Sequence, residues 1–159
     1  MLAFAVAYVS HEALGHGLAT LALGDRAVLW TTCHFNSSGN YSKWIPAAGG
    51  LMNVAVGLLS LSALRVVTGW GALSRYFLVL VAAFNLFFAV GYPAYPAMTQ
   101  FGDWAAVISG LDPQWLWRVL LVIVSAAGYL ASMKLIAGAI APFAATAGPA
   151  NSRLAGKAR

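Results

Sequence analysis

Residues 1–23, MLAFAVAYVSHEALGHGLATLAL, decide how the rest of the chain is read. The run has the ~20 residues that cross a hydrocarbon layer as a helix, yet it carries His11, Glu12 and His16. Two imidazoles and a carboxylate are costly at membrane depth, and ionisable groups placed there are a functional-site hypothesis by default. No basic segment precedes the run, so it reads as a retained span and not as a cleaved signal peptide.

The remainder is of the same character. Hydrophobic residues make up 61% of the 159-residue chain and charged residues 8%, a composition from which the surface of a water-soluble fold cannot be built. Further apolar stretches cover residues 45–67, 76–98 and 115–140, each long enough to cross. The expectation is an all-α membrane protein of about four transmembrane helices, forming one membrane-embedded domain over residues 1–145, with a mobile basic tail over 146–159. The single Cys33 excludes an intrachain disulfide.

Lys and Arg favour cytoplasmic flanks. Arg65, Arg75, Lys134, Arg153, Lys157 and Arg159 fall on one side and Arg26, Lys43 and Arg118 on the other, so both termini are expected in the cytoplasm of a multi-pass protein in a bacterial-type plasma membrane. The net charge of +5 is scattered over helix ends and the tail, which suits anionic lipid headgroups. It forms no basic face for nucleic acid.

Between the spans, β-branched and aromatic residues from 27 to 35 predict a short strand or hairpin arm, and Asn36-Ser37-Ser38-Gly39-Asn40 a turn. Pro46 suits the first turn of the second span, where no N–H is needed. Gly49, Gly50, Asn53 and Gly57 then make a small-residue stripe expected to serve close helix packing. The third span contains Asn85 and ends at Pro93 and Pro96, which break a helix. Residues 105–111 are too few to cross and read as a re-entrant or interfacial piece. The aromatic residues Phe84, Phe87, Phe88, Tyr92 and Tyr95 are expected as lipid-facing or packed bulk, and His34 as an ordinary loop histidine.

A catalytic zinc site needs three protein ligands and one open position. His11 and His16 are two candidates, Asp103 is the third, and Glu12 is the candidate proton carrier. On a regular helix, positions five apart differ by about 140°, so the rings point to different faces. One looped-out residue, a π-bulge accommodated at Gly15, turns them together. The alternative is a hydrogen-bonded Glu12–His16 pair, four apart on one face, with no metal.

The ordered series His11-Glu12…His16, a strand-like stretch, Gly49-Gly50-Leu51-Met52-Asn53, and Asn85…Gly102-Asp103 resembles the site-2 protease family of intramembrane zinc metallopeptidases, over about residues 9–110. The resemblance implies Zn2+ held by His11, His16 and Asp103, with Glu12 activating water. It also implies that Asn53 and Asn85 lie near the site or the substrate, which is a transmembrane protein or peptide. A relative that keeps this fold without the reaction, acting as a membrane binding or regulatory partner, is the second expectation.

Overall fold

The computed structural model describes residues 1–31, 35–38 and 42–147. Thr32 of the expected strand arm, Cys33, His34, Gly39 and Asn40 of the expected turn, Tyr41, and the tail from residue 148 lie outside the described residues. The opening apolar run is three consecutive helical pieces: α1 (Leu2–Val9), a π-helical segment (Ser10–Gly17) and α2 (Leu18–Ala22). A two-stranded antiparallel pair follows, β1 (Ala27–Trp30) and β2 (Phe35–Ser37), in the register Ala27↔Ser37 and Trp30↔Phe35. Asn36 and Ser37 are thus strand, not turn. The carboxylate of Asp25 ties the base of the pair by accepting from the Ser38 hydroxyl at 2.5 Å and the Arg26 N–H at 2.7 Å.

Among the described residues, three helices are long and apolar enough to cross a membrane: α3 (Trp44–Val66), the run Ala72–Thr99, and α7, which spans Gln114–Ala147. Helix α7 continues through residues 146 and 147, where a tail was expected, because Thr146 and Ala147 extend an unbroken run of helix-compatible residues past Pro142. The run Ala72–Thr99 divides into α4 (Ala72–Gly91) and α5 (Ala94–Thr99) at Tyr92-Pro93, where the proline withholds a backbone donor. Helix α5 closes on Gln100 in the left-handed region, φ 58°. Gly102, φ 98°, then turns the chain into α6 (Asp103–Ile108). Only glycine adopts that angle at little cost.

Helices α3 and α4 form the central pair. A Cβ on Gly57 would meet Leu86 Cγ at 2.6 Å, so the backbones meet where the side chain is missing, as small-residue packing requires. Val79, Ala82, Leu86 and Ile136 form the buried cluster joining α4 to α7. Gly128 of α7 lies against Val90, and the Ser125 hydroxyl donates to the Val90 carbonyl. Arg118 donates to the carbonyls of Ala97 and Met98, at 2.5 and 3.2 Å, and so anchors α7 to the end of α5. Outer faces are apolar: Leu59, Leu73, Ile123 and Leu130 are all well exposed. That distribution suits a lipid solvent.

Candidate metal centre

The π-helical segment resolves the spacing of the two histidines. Its hydrogen bonds run from residue i to i+5, as from the Leu18 N–H back to Ala13 O, so residues five apart stand about one turn above each other. The rings of His11 and His16 lie edge to face with centroids 4.7 Å apart. The irregularity takes the form of an eight-residue π-helical segment between α1 and α2. Gly15 permits it through contact with α3: a Cβ there would fall 2.5 Å from Gly49 Cα.

Each imidazole is pinned at Nδ1 by a group that accepts. His16 Nδ1–H donates to the Ile45 carbonyl at 2.7 Å. For His11 the partner is Asn53 Oδ1 at 2.9 Å. The amide orientation of Asn53 follows from its other bonds, since its Nδ2 donates to Ala7 O at 3.0 Å and to Asn85 Oδ1 at 3.1 Å. Asn85 Nδ2 in turn donates to Val81 O at 2.8 Å. A directed chain from α4 through α3 therefore fixes the His11 tautomer. In the neutral rings these Nδ1 bonds leave both Nε2 atoms with lone pairs.

Those lone pairs face Asp103. Its Oδ2 lies 3.0 Å from His11 Nε2 and 3.4 Å from His16 Nε2, and the ligand atoms of the three residues lie within 4.8 Å of one another. Both histidines are buried, at 3% and 4% exposure. Two imidazole nitrogens and a carboxylate oxygen at these distances, with both Nδ1 protons committed elsewhere, call for a positive charge among them, either a metal ion or a proton on Nε2. Tetrahedral ligands at ~2.0–2.1 Å stand about 3.3–3.4 Å apart, near the two separations from Asp103, and the donor set suits a metal ion in type and number.

Gly49 makes the room. A Cβ at this position would lie 2.6 Å from His16 Nε2 and 2.7 Å from His11 Nε2, in the space between the two ligand atoms. The small-residue stripe on α3 thus has two uses: Gly57 packs a helix, while Gly49 keeps a cradle open. Glu12 is buried at 7% exposure on the same π-helical segment, adjoining His11 in the chain. The Asp103 carboxylate lies 3.4 Å from His16 Nε2.

Tyr92 and Phe35 join the site although neither stood out in the sequence. The Tyr92 hydroxyl accepts from the Asp103 N–H at 3.3 Å, and a Cβ on Gly102 would collide with that hydroxyl at 2.4 Å. Phe88 and Tyr92 present their rings edgewise to His11, with centroids at 5.0 and 5.9 Å. The expectation of bulk packing for these two aromatics is corrected accordingly: the break at Pro93 turns the end of α4 toward the π-helical segment. Phe35, from β2, stacks on His16 at 5.8 Å. A tyrosine just before a helix-breaking proline, ten residues ahead of a Gly-Asp pair, was the available signal for Tyr92.

Partners in the outer shell commonly change metal affinity by ~10- to 100-fold. Asn53→Leu, which removes the acceptor fixing His11, is expected to weaken zinc binding by about that factor. Competition with a chromophoric chelator measures it.

No family model, curated protein or solved structure matches the chain.

Proposed function

We propose that this chain is a zinc-dependent intramembrane peptidase hydrolysing peptide bonds in or beside the bilayer. In this reading four segments cross, the first being the run from α1 through α2, both termini are cytoplasmic, and α6 is a re-entrant piece. The observation that carries it is the convergence of His11 Nε2, His16 Nε2 and Asp103 Oδ2 with both Nδ1–H groups already donated. Broken backbone at Tyr92-Pro93 and from Gln100 to Gly102 is tolerated at membrane depth where it lines a wet cavity.

His11, His16 and Asp103 would hold the zinc ion, which would supply Lewis acidity toward an attacking water and the scissile carbonyl. Glu12 accepts the proton that water loses as its oxygen adds to the carbonyl carbon. The C–N bond then breaks, and Glu12 returns the proton to the departing amine nitrogen. One water is consumed, and a carboxylic acid and an amine are formed. Asn53 and Ile45 O hold the imidazoles, while Tyr92 holds the backbone of Asp103.

The second reading, a non-catalytic membrane binding or regulatory protein, is favoured by the 3.0 Å His11–Asp103 separation, which also suits a protonated imidazolium bonded to the carboxylate. Metal analysis of the detergent-purified protein separates the two. The expected result is one zinc per chain, lost on His16→Ala or Asp103→Ala. Folded protein without zinc in zinc-supplemented buffer ends the peptidase reading.

A further inference from the structure

A cavity of about 460 Å³ lies between α3, α4, α6 and α7. Val54 of α3, Ala89 of α4, Val107 of α6 and Leu120 of α7 are among its walls, and the only polar side-chain atoms of its lining residues are the indole nitrogens of Trp104 and Trp117. Helices α3 and α7 both pack on α4 and face each other across this space. Leu51 of α3 and Val124 of α7 line it while being 50% and 59% exposed. The cavity therefore opens between these two helices and is continuous with the apolar outer surface that lipid meets.

Its long dimension follows the bilayer normal. Along α7 the lining runs from Trp117 to Val124, ~10 Å of helix rise, starting close to Gln114, where that helix begins. One leaflet contributes about half of the ~30 Å hydrocarbon layer. The space thus extends over much of the depth of a single leaflet, with a tryptophan at its interfacial end, where such rings are enriched.

We propose that this cavity holds one acyl chain of a phospholipid from that leaflet, lying along α7. The inference uses none of the metal donors and does not depend on the peptidase reading. Three physical requirements agree on the occupant. A buried water needs several polar partners, which walls of this composition do not supply. An empty space forfeits the dispersion contacts of every wall. A peptide threaded through it brings an N–H and a C=O at each residue, and these have no partners among the lining side chains. An acyl chain carries no polar group along its length, and the bilayer presents it at the opening as solvent. Trp104, Val107 and Ile108, three residues of the short helix that begins with Asp103, form one wall, so the chain supports α6 from beneath.

The test uses the full-length protein in phosphatidylcholine nanodiscs that include a phosphatidylcholine with a diazirine in the middle of one acyl chain. After irradiation, adducts mapped by mass spectrometry are expected on Ala89 and Ile108, which line the cavity but are only 5% and 4% exposed, as well as on the outward-facing Leu59 and Leu130. Val54→Phe and Val107→Phe, which fill the space, are each expected to lose the first pair of adducts and keep the second. Wild-type adducts confined to Leu59 and Leu130 overturn the proposal, and this comparison stands by itself where a filled variant does not fold. Adducts on Ala89 and Ile108 that persist in both folded variants overturn it as well. Displacement of those adducts by a single-span polyleucine peptide assigns the cavity to a peptide and likewise overturns it.

Discussion

Gly49→Ala is expected to eliminate zinc binding while leaving the helical content of the protein intact. The added methyl occupies the point 2.6–2.7 Å from both Nε2 atoms, and neither ring is free to retreat. His16 is tied to Ile45 O and His11 to Asn53, which is itself held by Ala7 and Asn85. The loss therefore exceeds the ~10- to 100-fold typical of removing an outer-shell partner. Alanine is a better helix former than glycine, so α3 does not suffer for local reasons. Gly50→Ala is the control. Its methyl approaches Trp104 at 3.3 Å and no ligand, so zinc stoichiometry should persist. Chelator competition and circular dichroism on the two variants decide the matter, and retention of full affinity by Gly49→Ala would place the bound ion elsewhere.

Glu12→Gln separates metal binding from chemistry. The substitution keeps shape and hydrogen-bonding capacity but removes the site at which a proton is taken up. Zinc is expected to remain at one per chain, since Glu12 is not among the three converging ligands. Hydrolysis of a single-span reporter peptide should fall by about 10²- to 10⁴-fold, the usual contribution of a positioned general base. Equal rates in wild type and variant would remove Glu12 from the mechanism. Zinc retained by both, with no cleavage by either, would favour the binding or regulatory reading.

The two experiments address different atoms of one small region, and the route to those atoms was only partly legible in the sequence. The apolar runs around α3, α4 and α7 could be read from composition and length, because the solvent requirement acts on every residue of a span. His11, Glu12, His16 and Asp103 could be singled out for the complementary reason: ionisable groups are rare in such runs. Gly49 was taken for a packing glycine like Gly57, since both have the same local signature. Their difference lies in what faces them, two imidazoles in one case and Leu86 in the other. Tyr92 and Phe88 were read as lipid-facing or packed bulk, and Phe35 as part of a strand, because aromatic residues are abundant in this chain and nothing local marks the few that touch a histidine.

By itself, the sequence determined the solvent of this protein and its unusual polar groups, because hydropathy and charge are properties of residues and survive any arrangement of the chain. Whether two histidines five apart share a target is a property of backbone hydrogen bonding, and the contact of Gly15 and Gly49 across two helices accompanies the i to i+5 pattern here. Only the tertiary structure decided that both rings, the carboxylate of a distant short helix and the space kept by a missing methyl meet at one place.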